Sequence, residues 1–244
     1  MRVFVTGASG HLGSAIVPEL IAAGHDVVGL ARSDAAAATV AARGATVRRG
    51  DLDDLDGIKE AAVEADGVIH LAFKHDQLLS GGYGAAVTAD LAVVRALGDA
   101  LAGTGKPLVG TSGTLTLAHL GRLGMEDDAG APGGRTGAEN AVIGFAARDV
   151  RSSVVRVPPI THSTLDRHGF ARTLIAIARQ TGVAGYPGDG RTDGPLGTRW
   201  TSVISTGLRL RTRQQARVGT QSGMKESACA RSLRASATTS ASRP

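Results

Sequence analysis

The chain has 244 residues, 42% hydrophobic but only 3% aromatic, which is enough for one α/β domain, or a domain plus a small cap, with a core of Ala, Val, Leu and Ile. A single cysteine, Cys229, excludes an internal disulfide and any multi-cysteine metal site, and suits a reducing cytoplasm. The net charge of +5 is uneven: residues 191–244 hold nine Arg and one Lys against Asp193 and Glu226, a surplus of +8, which leaves −3 for residues 1–190.

Strand and helix patterns alternate from the first residues. Arg2–Thr6 reads as a strand. His11–Ala23 reads as a helix with Leu12, Ile16 and Leu20 on one face, Pro18 inside it as a slight bend, and Gly24 as its stop. Asp26–Ala31 is a second strand, Ala35–Ala42 a helix, Ala45–Arg49 a third strand, Leu55–Ala65 a helix, and Gly67–Leu71 a fourth strand. A long helix fits Gly84–Ala102, where Val87, Leu91, Val94 and Leu101 recur at helical spacing. Pro107–Thr111 is a fifth strand, Gly137–Ala147 helical, Ser153–Val157 a sixth strand, and Phe170–Gln180 a last amphipathic helix. Short apolar strands that alternate with helices require parallel pairing through crossovers, hence a doubly wound parallel sheet of the Rossmann type over residues 1–190.

The pattern stops near Gly188. Residues 191–244 form a basic tail rich in Ser, Thr and Arg, with no apolar period beyond Val203–Leu210. Such a composition buries too little to offset its ordering entropy and reads as disordered. A reading-frame shift would produce the same abrupt change. Arg209, Arg211, Arg213 and Arg217 could neutralise phosphates, but the tail has one aromatic, Trp200, and no nucleic-acid motif, so no specific nucleic-acid partner is expected. No stretch approaches about 18 uninterrupted apolar residues, so no membrane span is expected. The start of a strand at residue 2 leaves no room for a signal peptide, and the expected location is the cytoplasm.

The most specific signal lies between the first strand and the first helix: Thr6-Gly7-Ala8-Ser9-Gly10-His11-Leu12-Gly13. Gly7 permits a tight turn, Gly10 lets a pyrophosphate approach the backbone, and Gly13 lets the helix lie close. The helix start then offers free N–H groups and the positive end of its dipole to phosphates. Cofactor choice turns on the end of the second strand, Gly29-Leu30-Ala31-Arg32-Ser33. Arg32 stands where an acidic ribose ligand would select NAD, and could pair with a 2′-phosphate, with Ser33 donating beside it. That favours NADP, with NAD as the second choice; the alternative for Arg32 is an exposed surface arginine. Asp34 reads as the cap of the next helix.

With these elements placed, the chain resembles the short-chain dehydrogenase/reductase superfamily, in particular its extended branch of nucleotide-sugar epimerases and dehydratases. Gly50-Asp51-Leu52-Asp53, His70-Leu71-Ala72, Thr111-Ser112-Gly113 and Arg156-Val157-Pro158-Pro159 end successive strands in the family's order. The resemblance implies that Asp51 and Leu52 meet the adenine, that Leu71 and Ala72 flank the cofactor, that Pro158 and Pro159 cradle the nicotinamide end, and that the catalytic hydroxyl is Ser112, with Thr111 and Thr114 as nearby alternatives. Asp51 reads equally as a turn aspartate in an Asp-rich stretch.

The family's Tyr-x-x-x-Lys pair is missing. The corresponding stretch is Gly134-Arg135-Thr136-Gly137-Ala138-Glu139-Asn140, and Tyr83 and Tyr186 have no lysine four residues on. Arg135 and Glu139 fall where the pair would lie; they line the pocket or pair at i,i+4 on a helix face. A serine hydroxyl alone is not an adequate proton source near pH 7. His70, His75, His162 and His168 are candidates, His162 foremost by position, and each has a structural or surface alternative. Three functions follow from the resemblance: an NADP-linked oxidoreductase acting on a small carbonyl or alcohol substrate, a dinucleotide-sensing protein without catalysis, or an inactive truncated relative. A homo-oligomer is compatible with the sequence.

Overall fold

The structure is a computed structural model that describes residues 1–79, 81–166, 169–185, 196–198 and 217–220. Six strands form a parallel sheet: β1 (Arg2–Thr6), β2 (Asp26–Ala31), β3 (Thr46–Arg49), β4 (Gly67–His70), β5 (Pro107–Gly113) and β6 (Arg151–Val157). Their order is β3-β2-β1-β4-β5-β6. Strand order therefore reverses beside β1, and a crevice opens above its carboxyl end, where open α/β sheets bind ligands. The helices are α1 (Gly13–Ala22), α2 (Asp34–Ala42), α3 (Leu55–Glu64), α4 (His75–Leu79), α5 (Tyr83–Leu101), α6 (Thr136–Gly144) and α7 (Phe170–Thr181).

Alternation along each strand splits the core into two layers. Val3, Val5, Val27, Ile69, Val109 and Val155 pack with Ile16, Val17 and Leu20 of α1 and Val40 of α2. Phe4, Val68, Leu108 and Val154 point the other way and pack with Ile58 of α3, Val93 and Leu97 of α5, and Val142 of α6. The same alternation carries Thr6, His70, Ser112 and Arg156 onto the α5/α6 side, because each stands an even number of residues from Phe4, Val68, Leu108 or Val154.

Most expected elements match within two residues. The first helix starts at Gly13 rather than His11, because the carbonyls of Gly10 and His11 both accept from the Ser14 amide in a turn. The sixth helix shortens to Gly144 and continues as a 3-10 turn over Phe145–Arg148, ended by Asp149 in the left-handed region at φ 55°. Three described elements were not expected: α4, the 3-10 helix Thr114–Leu120, and a short parallel pair, β7 (Ile160–His162) with β8 (Leu196–Thr198). Two described strands fall within residues 191–244. Besides β8, Arg217–Thr220 forms β9, parallel to Ser153–Arg156 at the β6 edge, because the backbone of β6 there has a free ladder to fill. The rest of the tail lies outside the described residues. Among the described residues, no helix is long and apolar enough to cross a membrane.

Candidate functional site

The turn after β1 is built by its glycines. Gly7 has φ +70°, and a Cβ there would lie 2.8 Å from the Ala72 nitrogen. At Gly13 a Cβ would lie 2.5 Å from the Ala8 carbonyl oxygen and 2.6 Å from that of Gly7, so α1 is pressed onto the turn itself. Gly10 differs: it is exposed, and its Cβ would approach only the Gly7 carbonyl, at 3.2 Å. Gly7 and Gly13 are thus needed by the protein, whereas Gly10 leaves a surface that a side chain would fill. Leu12 precedes α1 and supplies no side-chain cap. Ser9 and Leu12 are half-buried on the loop. This cradle fits a pyrophosphate in the way helix starts bind anions.

Two side chains brace the loop. Arg43, at the end of α2, donates to the carbonyls of Ala8 and Gly10. His11 Nε2 lies 2.8 Å from Ser163 Oγ, which ties the loop to the segment after β7. Neither contact was legible in the sequence.

Several expected ligands have structural partners. Thr6 is fully buried and its Oγ1 lies 2.7 Å from His70 Nδ1, because the register sets Thr6 beside His70. His70 Nε2 lies 3.1 Å from Asp90 Oδ1 on α5, which makes His70 a structural histidine rather than a proton donor. Leu71 and Ala72 do reach the glycine turn: the Leu71 amide donates to the Thr6 carbonyl and the Ala72 amide to Thr6 Oγ1. Ser33, expected to donate to a phosphate, is the cap of α2, its Oγ accepting from the Ala36 amide at 3.2 Å. Asp34 is therefore not the cap; it bonds Arg49 at 2.7 Å. Asp51 Oδ1 accepts from the Asp53 amide at 3.1 Å, a turn role, and Leu52 rests against the core. Pro158 is buried and its carbonyl accepts from Thr161, while Pro159 is exposed.

Arg32 follows β2 at the carboxyl edge, its side chain 61% exposed, and both its terminal nitrogens lie 3.3 Å from Asp76 Oδ2 on α4. Partial desolvation pushes the Asp76 carboxyl up, but the Arg32 hydrogen bond and charge outweigh it and hold the group below its ordinary range. In the same segment Lys74 Nζ bonds both Asp53 carboxylate oxygens, at 2.7 and 2.6 Å.

At the end of β5, Ser112 is 1% exposed and its Oγ has no hydrogen-bond partner among the described residues. Arg135 lies alongside. Its Nη2 donates to the Thr111 carbonyl at 2.9 Å, its Nε stands 3.5 Å from Asp90 Oδ2, and its guanidinium covers the Phe73 ring at 4.4 Å. His75 meets the other side of that ring edge-on at 5.1 Å. Burial lowers the His75 pKa and the Arg135 charge lowers it further, against the Phe73 carbonyl and the Asp76 and Asp90 charges, which raise it. The Tyr83 hydroxyl rests against Gly134, where a Cβ would be 2.9 Å from it.

Glu139 does not pair with Arg135. It turns into the core and takes Arg156, with Nε at 3.1 Å and Nη2 at 2.5 Å from Oε1. Arg156, 1% exposed, also donates to the Asp128 carbonyl at 2.7 Å. The loop so held carries its own pair, where the Arg122 hydrogen bond brings the Asp128 carboxyl down to about 2. The pair engages only Glu139 Oε1; Oε2 is buried with no hydrogen-bond partner among the described residues. The cavity between His70, Asp90, Thr111 and Glu139 has about 10 Å³, room for one water at most. The side chain of His162 and all of His168 lie outside the described residues, as do the basic tail arginines other than the backbone of Arg217.

The glycine turn at the switch point of a 3-2-1-4-5-6 sheet is that of a Rossmann fold, a class whose ligands bind at the carboxyl ends of the strands. Residues 3–115 match the model of the NAD dependent epimerase/dehydratase family. The chain is 44% identical over 192 residues to an uncharacterized protein of Schizosaccharomyces pombe, covering 78% of this chain and 64% of that protein. An uncharacterized protein of Saccharomyces cerevisiae is 39% identical over 194 residues, with the same coverage of 78% and 64%. The chain thus spans somewhat less than two thirds of both relatives. The fold is that of UDP-glucuronic acid 4-epimerase from Bacillus cereus, with a TM-score of 0.74 at 18% identity, covering 92% of this chain and 78% of that one.

Proposed function

We propose that the chain is an NADP-linked oxidoreductase acting on a small carbonyl or alcohol substrate at the carboxyl end of β5. The observation that carries the cofactor is the open cradle at Gly10 with Arg32, not an acid, at the end of β2. A bound nicotinamide would supply or accept the hydride. Gly7 to Gly13 hold the pyrophosphate, and Arg32 donates to the 2′-phosphate. Ser112 Oγ, buried and unpartnered, donates to the substrate oxygen, which relieves a desolvated hydroxyl. Arg135, whose Nη2 donates to the carbonyl of Thr111 next to Ser112 in the chain, adds positive charge at this strand end. Among the described residues, the His75 imidazole, its pKa lowered by burial and by the Arg135 charge, and the Tyr83 hydroxyl are the groups at this edge that could carry a proton.

A second reading, a dinucleotide sensor without turnover, draws on the burial of Glu139 against Arg156 and on Arg135 in place of an acid. Fluorescence titration with NADPH and NADH, followed by a panel of aldehydes and ketones, separates the two. The first reading predicts tighter NADPH binding and oxidation of NADPH with some member of the panel. Binding without turnover across the panel supports the sensor. Arg32→Asp should abolish or reverse the preference, since a charge-assisted bond contributes about 1.5–3 kcal/mol, tenfold or more in affinity. Equal affinities in the unmutated protein would contradict the NADP reading.

A further inference from the structure

The strand order puts β1 between β4 and β2. A side chain that follows β4 and bonds one following β2 must therefore reach across the carboxyl end of β1, over the glycine turn. Asp76 does this toward Arg32, and Lys74 reaches further, to Asp53 beyond β3. Residues 73–76 thus wall the side of the crevice where the Arg32 guanidinium waits. Both its terminal nitrogens are spent on one oxygen, Asp76 Oδ2, at 3.3 Å.

We propose that Asp76 is a specificity-determining residue for the cofactor, acting with Arg32. The inference rests on the reading of Arg32 as the 2′-phosphate ligand. Asp76 is the anion that a 2′-phosphate must displace from Arg32; toward NAD, the same carboxylate accepts from the ribose 2′-hydroxyl. Magnitudes favour the exchange. Both side chains are more than half exposed, at 61% and 58%, so their pair is weak, in the range of surface salt bridges. A phosphate carries about twice the charge and takes bidentate bonds from arginine, so it wins. The displaced carboxylate stays close and repels the phosphate, which blunts the preference for NADP. Asp76 thereby makes the site more tolerant of NAD than Arg32 alone would.

The test is the pair of dissociation constants for NADPH and NADH, measured by fluorescence titration on the full chain and on Asp76→Asn, Asp76→Ser and Arg32→Asp, with thermal unfolding as the check on folding. Both Asp76 variants should tighten NADPH about three- to tenfold and weaken or spare NADH, so that the NADH-to-NADPH ratio of constants widens, less so at high salt. A ratio unmoved by both Asp76 variants, while Arg32→Asp still shifts it, overturns the role of Asp76 and leaves Arg32 as the phosphate ligand. A ratio unmoved by Arg32→Asp as well overturns both.

Discussion

Single residues near the crevice separate into those the protein needs and those a ligand would need. Gly13 belongs to the first group, since a Cβ would sit 2.5 Å from a backbone oxygen that cannot step aside. Gly13→Ala should therefore lower stability by about 1–3 kcal/mol, read from chemical denaturation. Stability within 0.5 kcal/mol of the parent, as is usual for surface substitutions of about that size, would show that the turn relaxes. His75 gives a pH signature. It binds its proton more weakly folded than unfolded, so its contribution to stability is complete above the ordinary 6.5 and is lost as pH falls through its lower folded pKa. Its ring resonance should titrate below 6.5, and Arg135→Gln should move that midpoint up, because a lowering charge is removed. A midpoint at or above 6.5 in the parent would contradict the placement of Phe73, Arg135 and His75 together.

At the scale of elements, the Glu139–Arg156 pair fastens α6 to β6. Glu139→Ala or Arg156→Met alone leaves a buried charge without its partner and should cost about 3–5 kcal/mol; the double variant should recover part of that loss. Thermal unfolding of the four proteins checks it, and additive losses would show that the two side chains act separately. What the sequence disclosed follows from the range of the interactions. The strands and the glycine turn are local patterns, period two and fixed spacing, and so were readable. The α4 segment was not: Phe73-Lys74-His75-Asp76-Gln77 has no apolar period, and it is held by Arg32, Asp53 and Arg135, which are distant in the chain. Ser33 displaced Asp34 as the cap because its hydroxyl reaches Ala36, a choice that propensity leaves open. The fates of Thr6 and Glu139 depended on register and face, which only the assembled sheet decides.

At the scale of the described chain, a Rossmann sheet carries three features at its carboxyl edge: the glycine turn at Gly10, the Arg32–Asp76 pair, and Ser112 with Arg135. Among the described residues, the Rossmann sheet continues past β6 through the four-residue β9. The residues assigned to the cofactor, from Thr6 to Pro159, and Ser163, which braces the loop, all lie before residue 200, so cofactor binding should not depend on residues beyond 200, and a chain ending there should keep its NADPH affinity within a few-fold. Loss of binding in that shorter chain would place part of the dinucleotide site in the tail. The most direct test of the account is NADPH titration of Gly10→Val beside the parent, with circular dichroism on both. The branched side chain fills the space that the pyrophosphate needs, and its Cβ would approach only the Gly7 carbonyl of the protein. The account predicts tight binding by the parent and none by the variant, with the same spectrum for both. Unchanged affinity in a folded Gly10→Val variant would show that the phosphates bind elsewhere.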